Sequence, residues 1–111
     1  MLVTPKEVVA FCAKDGQVPF EDWLDDLNDK RAVARVLARL ARVRQGNLGD
    51  CKPVGEGVSE LRVDYGPGYR VYLGQKGQTL VVLLCGGDKR TQERDIRLAK
   101  QYWHEFKAND I

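Results

Sequence analysis

The sequence predicts an α+β fold in which a helical hairpin precedes an antiparallel sheet and a further helix follows it. Apolar residues recur with helical spacing in residues 20–45 and 91–106, whereas residues 58–85 contain β-rich runs separated by glycine and proline. With 111 residues, the chain is long enough to build one hydrophobic core. We therefore expect one domain over residues 1–111.

The N-terminal part of the chain predicts a strand and two helices. Residues 7–13 are apolar and rich in β-formers, and an Asp-Gly turn follows them. Residues 20–27 carry apolar side chains at i, i+3, i+4 and i+7, which predicts a short amphipathic helix. Asn28-Asp29 then caps a second helix that runs to about residue 45 and ends at a Gly-Asn pair.

The second predicted helix has an apolar side and an arginine side. The apolar residues, expected to face the core, are Val33, Val36, Leu37, Leu40 and Val43. The opposite side carries four arginines, the arginine stripe: Arg31, Arg35, Arg39 and Arg42. The stripe is expected to face away from the core, where it tracks a nucleic-acid backbone, receives an acidic segment of a partner, or serves as a solvated helix face.

The remainder of the chain predicts a loop, three strands and a helix. Residues 46–57 are rich in glycine and are assigned to a loop that brings Lys52 to the edge of the sheet. Three strands joined by short turns form an antiparallel meander, at about residues 58–64, 69–75 and 79–85. A helix over residues 91–106, with Thr91 as its N-cap, closes the fold.

Charge is unevenly distributed, although the formal net charge is only +2. Residues 1–29 hold two Lys and seven Asp or Glu, and residues 30–52 hold seven Lys or Arg and one Asp. A local cationic face attracts polyanions even on a nearly neutral molecule. Nucleic acid or an acidic protein is therefore the expected class of partner.

Cysteine usage and the absence of targeting patterns indicate the compartment. The three cysteines form no C-x-x-C pair, which argues against a disulfide framework and a zinc site. Neither a signal peptide nor an apolar run of about 20 residues is evident. We expect a cytoplasmic protein without a membrane segment. No cofactor is implied, because the sequence has no P-loop and no metal-ligand spacing.

Arginines near the ends of the predicted strands form the candidate site. Arg70 follows a Gly-Pro-Gly turn, and Arg62 shares its face of the sheet if the two strands pair across residues 65–68. A guanidinium can bind a phosphate through two parallel hydrogen bonds, and two like charges held close need an anion between them. The alternative is a solvated strand arginine paired with Glu60 or Asp64.

A second pair of cations, Lys89 and Arg90, follows Gly-Gly-Asp at the end of the last predicted strand. If a helix begins there, backbone N–H groups and the helix dipole add to the two cations in attracting a phosphate. The alternative is an ordinary turn with two solvated cations. The lone histidine, His104, is assigned a structural or surface role.

Three motifs in a fixed order carry a family resemblance. They read G-N-x-G-D-x-K-P-V-G-x-G-V-x-E-L-R, G-P-G-Y-R-V-Y and L-L-x-G-G-D-K-x-T-Q-x-R-D-I, within a match from about residue 20 to about residue 100. With these motifs and this order of elements, the chain resembles the addiction-module killer proteins, a HigB/RelE-like branch of the RelE/ParE toxin superfamily. The resemblance implies a RelE-like fold.

The resemblance also implies a function, that of the toxin in a type II toxin–antitoxin module. Such a toxin is neutralised by a cognate antitoxin, in this branch often a helix-turn-helix DNA-binding protein. The two proteins together repress their own operon, so operator DNA is reached only through the antitoxin. RelE-like members cleave mRNA on the ribosome without a metal, as the ribose 2′-OH attacks the adjacent phosphate and leaves a cyclic phosphate and a 5′-OH.

The family positions that bind and polarise the phosphate correspond to four cations of this chain. The arginine in Gly-Tyr-Arg is Arg70, the arginine that ends the preceding strand is Arg62, and the cationic pair after the last strand is Lys89-Arg90. By the resemblance, these side chains stabilise the charge that develops on the phosphoryl oxygens.

The chain departs from the RelE pattern at the residues that would transfer protons. Where RelE has lysines before its first meander arginine, this sequence has Val58 and Glu60, and the C-terminal tyrosine of RelE has no evident counterpart. Glu60 is then a candidate general base, and Lys52 a source of charge or of a proton. Two alternatives remain: a non-catalytic ParE-like inhibitor of DNA gyrase, and a degenerate toxin that only binds its antitoxin.

Overall fold

The computed structural model describes residues 4–109 and confirms the α+β fold. Its strands are β1 Glu7–Ala10, β2 Cys51–Gly55, β3 Val58–Val63, β4 Tyr69–Lys76 and β5 Leu80–Gly87. Its helices are α1 Pro19–Asp26, α2 Lys30–Arg44 and α3 Gln92–Asn109, and a 3-10 turn, Lys89–Thr91, leads into α3. Within this part of the chain, no helix is long and apolar enough to cross a bilayer.

The five strands form one sheet in the order β1-β5-β4-β3-β2. The predicted meander is confirmed, because β3 pairs antiparallel with β4, and β4 with β5. The first strand pairs parallel with β5 at one edge, where Glu7 lies opposite Leu80. The sheet is therefore antiparallel except at that edge.

The segment 51–55, expected to lie in a loop, forms the strand β2 at the other edge of the sheet. Lys52 lies opposite Glu60 of β3, before the register shifts between Pro53 and Gly55. An edge strand tolerates proline because one side of its backbone pairs with no neighbouring strand. The segment is rich in glycine and proline, and its side chains do not alternate clearly between apolar and polar. The sequence therefore did not predict this strand.

Both faces of the sheet are covered by helices. The face under α1 and α2 buries a cluster that includes Phe20, Val36, Leu40, Val43, Leu61 and Leu73. The face under α3 buries a second cluster that includes Val58, Tyr72, Val82, Leu84, Ala99 and Trp103. Residues that alternate along each strand thus point to different helices, which places the candidate cations on a defined face.

The buried side of α2 differs from the prediction at two positions. Leu37 is 48% exposed, whereas Arg39 is only 9% exposed. Val36, Leu40 and Val43 are buried as expected. Positions 36, 39, 40 and 43 follow the i, i+3, i+4, i+7 spacing of one helix stripe, so an arginine occupies a place that the helical period assigns to the core side.

Aspartates, not Thr91, cap α2 and the 3-10 turn that leads into α3. Asp88 Oδ1 accepts the backbone N–H of Arg90 at 2.8 Å, and Thr91 lies inside the 3-10 turn with its Oγ1 accepting the backbone N–H of Asp88 at 3.3 Å. At α2 the cap is as expected, because Asp29 Oδ1 accepts the backbone N–H of Arg31 at 2.9 Å. The carboxylate at the strand end thus sets where the last helical segment begins.

Gly74 on β4 gives a test of the packing beneath α3. A Cβ on Gly74 would lie 2.4 Å from Cε3 of Trp103, which is too close for any contact. We expect Gly74→Ala to lower the free energy of unfolding by about 1–3 kcal/mol, because the indole must move out of a filled core. Urea denaturation measures the loss. The neighbouring exposed position supplies the control, since Gln75→Ala should change stability by less than about 0.5 kcal/mol.

Candidate phosphate-binding site

Arg62 and Arg70 lie directly opposite each other in the pairing of β3 with β4. Directly opposed residues of an antiparallel pair point to the same face, so both side chains project from the face covered by α3. They lie where β4 begins and β5 ends, since Arg70 pairs with Gly87 on its other side. The register therefore brings together the two arginines on which the sequence prediction depends.

The anion between the two arginines is a side chain of the protein itself. Glu60 is fully buried, and its Oε1 lies 3.3 Å from Arg62 Nε while its Oε2 lies 3.4 Å from Arg70 Nε. Oε2 also accepts hydrogen bonds from Tyr72 Oη at 3.3 Å and Gln92 Nε2 at 2.7 Å. One carboxylate thus holds both guanidinium groups in place.

This placement argues against the predicted role of Glu60 as a general base. Burial alone would raise the pKa of Glu60, but the hydrogen bonds and positive charges of its four partners lower it below its usual range. Burial and the nearby carboxylate raise the pKa of Tyr72, so its phenol stays protonated and donates. A carboxylate that is buried, ionised and already hydrogen-bonded is a poor proton acceptor. Its contacts are suited to holding Arg62 and Arg70 in place.

Arg70 is the more firmly held of the two arginines. Its side chain is 11% exposed, and its Nη1 donates to the carbonyl of Gly68 at 2.7 Å. Its Nε is buried and meets Glu60 at ion-pair distance without hydrogen-bond geometry. None of these contacts uses Nη2, so its N–H groups are the donors that remain for an anion. Arg62, with 39% of its side chain exposed, presents its charge beside them.

Lys89 joins this arginine pair through the glycine of the β3–β4 turn. A Cβ on Gly68 would lie 3.3 Å from Arg70 Nη1 and 3.8 Å from the Cβ of Lys89, so only the backbone of a glycine separates the two residues. Lys89 is exposed. Lys52 is also exposed and shares the face of Glu60, its partner across β2 and β3. The cations Arg62, Arg70, Lys89 and Lys52 therefore surround one end of the sheet.

Asp88 corrects the expectation that the turn after β5 offers free N–H groups to a phosphate. Its carboxylate accepts the backbone N–H of Arg90 and pairs with the Arg90 guanidinium at 3.2 Å. Burial would raise the pKa of Asp88, but these bonds lower it below its usual range. An ionised carboxylate at the start of the turn repels an incoming phosphate, so the cationic side chains must bind it. Arg90, 84% exposed on its side chain, remains available.

Arg39 does not belong to a solvent-facing stripe. Its Nε donates to the carbonyl of Arg62 at 3.1 Å, and its Nη2 donates to the carbonyls of Leu48 at 2.9 Å and Asp50 at 3.3 Å. Its Nη1 is buried without a hydrogen-bond partner in residues 4–109. Arg39 therefore connects α2 to the segment that leads into β2. Its buried guanidinium is not on the surface that was predicted to bind RNA.

The other stripe arginines remain on the surface. Arg31, Arg35 and Arg42 are exposed, and the guanidinium of Arg35 lies 5.4 Å from the ring centre of Tyr65. A cleft of about 320 Å³, lined in part by Arg35 and Arg42, opens between α2 and the edge of β3. The exposed arginine face, Arg31, Arg35 and Arg42, is a second cationic surface, supported from below by Arg39.

Three features of the site escaped sequence reasoning. Gln92 and Tyr72 bind Glu60, and Gly68 places Arg70 beside Lys89. The face of the sheet on which Tyr72 lies could have been predicted, because Tyr72 is two residues from Arg70 on one strand and so shares its face. Gln92 comes from α3 and could be found only with tertiary structure. Within the described chain, no group of three His, Cys, Asp or Glu side chains is placed to hold a metal ion.

The matches to known proteins each cover most of the chain. Residues 22–104 match the family described as phage-derived protein Gp49-like (DUF891). The chain belongs to this family. The Gp49-like family is of the RelE/Gp49 toxin type. This Gp49-like chain is also similar to an uncharacterized protein from Haemophilus influenzae (strain ATCC 51907 / DSM 11121 / KW20 / Rd), with 53% identity over 81 residues, 73% of this chain and 82% of that protein.

Proposed function

We propose that this chain is the toxin of a type II toxin–antitoxin module, in the addiction-module killer branch of the RelE/ParE superfamily. We further propose that it inhibits translation as a metal-independent, ribosome-dependent mRNA endonuclease in the cytoplasm. The observation that carries the proposal is the pair Arg62 and Arg70, clamped by the buried Glu60 and joined by Lys89. Folding stability alone does not require two arginines and a lysine at one end of a sheet.

The proposed reaction is the attack of a ribose 2′-oxygen on the adjacent phosphorus. The bond from the 2′-oxygen to phosphorus forms, the bond from phosphorus to the 5′-oxygen breaks, and a cyclic phosphate and a 5′-OH result. Arg70 Nη2 and Arg62 bind the non-bridging oxygens, where negative charge grows in the transition state. Because Glu60 already fixes both guanidinium groups, little reorganisation is needed at that moment.

Proton transfer is assigned to other groups than Glu60. The 2′-OH proton passes to water, since the carboxylate of Glu60 already accepts three hydrogen bonds and forms an ion pair with Arg70. Lys52 is exposed on the face of Glu60 and is the proposed donor to the departing 5′-oxygen, with Lys89 adding positive charge. Arg90 binds the strand beyond the reacting phosphate.

The proposed partners are the ribosome with its mRNA and a cognate antitoxin, a helix-turn-helix DNA-binding protein through which operator DNA is bound. The exposed arginine face suits both, because ribosomal RNA and an acidic antitoxin segment are polyanions. The cleft beside this face is lined by Arg35 and Arg42 and also by Arg62, so a polyanion bound there continues directly into the phosphate site.

Charge reversal on this face should weaken ribosome binding. We expect the double variant Arg35→Glu/Arg42→Glu to bind 70S ribosomes less tightly, and to reduce the slope of log affinity against log salt by about 1–2. Sedimentation at several salt concentrations measures both. Arg44→Glu, two residues beyond Arg42 and so on the opposite side of α2, is the matched control and should keep the wild-type slope. An unchanged slope in the double variant would show that this face does not bind the ribosome.

Translating ribosomes give the direct test of the nuclease. Primer extension on ribosome-bound mRNA should reveal new 5′ ends in the A-site codon after the protein is added, and no such ends on the same mRNA without ribosomes. Uncut mRNA under these conditions would overturn the proposal.

The ParE-like alternative is favoured by one observation, the engagement of the buried carboxylate of Glu60 by Arg62, Tyr72 and Gln92. A non-catalytic binder needs no general base. A supercoiling assay separates the two functions, because a gyrase poison accumulates cleaved DNA complexes and leaves mRNA intact. A degenerate toxin would do neither and would leave growth unchanged when produced without its antitoxin.

A further inference from the structure

A groove of about 440 Å³ opens beside the arginine pair, on the other side of the start of β4. The loop between α1 and α2 forms one wall, and the β3–β4 turn and the turn after β5 form the others. Its lining includes Trp23, Tyr69, Pro67, Gly87, Arg90 and Arg94. Nothing in the proposed phosphate chemistry uses this groove.

Two aromatic rings form the apolar part of the groove. Trp23 and Tyr69 stand edge to face, with ring centres 6.1 Å apart and planes at 65°. The indole lies flat on Gly86, where a Cβ would approach its Cε3 to 2.2 Å. Both rings are partly exposed, and the Tyr69 hydroxyl makes no hydrogen bond within residues 4–109. Rings held in this way are suitable surfaces for stacking a planar ligand.

The groove and the arginine pair are one residue apart on β4. Tyr69 and Arg70 are consecutive, and neighbouring strand residues point to opposite faces. Gly87, which pairs with Arg70, also lines the groove. The groove and the arginine pair both lie at the end of the sheet where β4 begins, one on each face, so a nucleic-acid strand that passes this end can place a phosphate on one side and the adjoining base on the other.

Both cations and carboxylates line the groove. Arg90 and Arg94 have exposed side chains, and each forms an ion pair with an aspartate, Arg90 with Asp88 at 3.2 Å and Arg94 with Asp95 at 3.5 Å. Their remaining N–H groups are therefore the ones open to a phosphate of the same strand. Asp26 lines the groove and makes no hydrogen bond or ion pair within residues 4–109, so its carboxylate is free to accept N–H donors from a base edge. An aromatic surface, an acceptor and rim cations are the features that bind single-stranded RNA.

We propose that this groove binds an unpaired nucleobase, that of the nucleotide adjoining the phosphate held by Arg62 and Arg70. The inference rests on the proposed nuclease function and adds to it a specificity determinant: Trp23 and Tyr69 stack the base, and Asp26 reads its edge. The groove then decides which nucleotide lies beside the cut.

Binding of a free nucleotide tests the groove without any cleavage. The chain has two tryptophans, and Trp103 is only 5% exposed beneath α3, so its indole N–H resonance is an internal control for that of Trp23. Titration of ¹⁵N-labelled protein with 5′-GMP should move the Trp23 resonance and leave that of Trp103 in place. Inorganic phosphate at the same concentration should move neither. A Trp23 resonance that ignores 5′-GMP, or responds equally to phosphate, overturns the inference.

Substitution of Tyr69 tests the stacking role. We expect Tyr69→Leu to weaken 5′-GMP binding roughly tenfold, and the matched variant Tyr69→Phe, which keeps the ring, to retain wild-type affinity. Equal affinity of the Leu variant and the wild type contradicts the inference. In cells, the base preference next to the cut should flatten for Tyr69→Leu only. If the wild type cuts no mRNA, the nuclease proposal fails, whereas the nucleotide titration still decides the groove.

Discussion

Replacement of Arg70 by alanine is expected to reduce mRNA cleavage by about 10²–10³-fold, the usual cost of removing one preorganised donor to a developing oxyanion. Arg70 is the donor that the fold holds most firmly, between Glu60 and the carbonyl of Gly68. Arg70→Lys should recover little of the lost rate, because an ammonium group cannot contact Glu60, the carbonyl of Gly68 and a phosphate in the planar arrangement of the guanidinium. Single-turnover cleavage on programmed ribosomes measures the rate.

The control for this prediction is Arg44→Ala. Arg44 is exposed, and its carbonyl accepts the N–H of Lys6 beside β1, at the end of the sheet away from Arg70. The Arg44→Ala variant should cleave mRNA at the wild-type rate. Thermal unfolding of both variants must be compared, because loss of Arg70 also leaves Glu60 with one cation fewer. A folded Arg70→Ala protein that cleaves mRNA at the wild-type rate would show that Arg70 takes no part in the reaction.

Replacement of Glu60 by alanine is expected to lower the free energy of unfolding by about 3 kcal/mol, because it leaves a mostly buried guanidinium and two other donors without their acceptor. Arg70, Tyr72 and Gln92 all bind the same carboxylate oxygen. Urea denaturation measures the loss. Glu60→Gln keeps the shape but removes the charge, so it should lose less stability than the alanine variant. If Glu60→Ala left the free energy of unfolding unchanged, the contacts of Glu60 would not stabilise the fold.

The lowered pKa of Glu60 predicts how this stability depends on pH. A carboxylate whose pKa is lower in the folded state stabilises the protein above its unfolded pKa of about 4.3, and the stabilisation is lost as pH falls through the lower, folded value. The wild type should therefore lose stability below about pH 4 more steeply than Glu60→Gln. The comparison is needed because Asp29 and Asp88 also have lowered pKa values. Identical slopes would contradict the assignment to Glu60.

Most of the fold could be predicted because each element carries its own pattern. The helical spacing of α1 and α2, the Asp29 cap and the turns of the meander are local properties of the chain. The opposed placement of Arg62 and Arg70 also follows locally, since the length of the turn between the strands sets their register. What depended on contacts within a few residues was readable from the sequence.

What could not be predicted depends on contacts between distant parts of the chain. Arg39 has the spacing of a core residue and the chemistry of a surface one, and only the carbonyls of Arg62, Leu48 and Asp50 explain its burial. Glu60 was expected to be a candidate general base because the sequence does not show its four binding partners. These partners come from three elements, β3, β4 and α3. Composition placed β2 in a loop, although pairing with β3 makes it a strand.

The central claim is that the end of the sheet held by Glu60 cleaves mRNA through Arg70. Sequencing of RNA 5′ ends from cells shortly after induction, with the wild type and Arg70→Ala in parallel, tests it most directly. The account predicts new 5′-OH ends in phase with codons for the wild type and their absence for a folded Arg70→Ala protein. Growth arrest without new RNA ends, or equal cuts with both proteins, would contradict it.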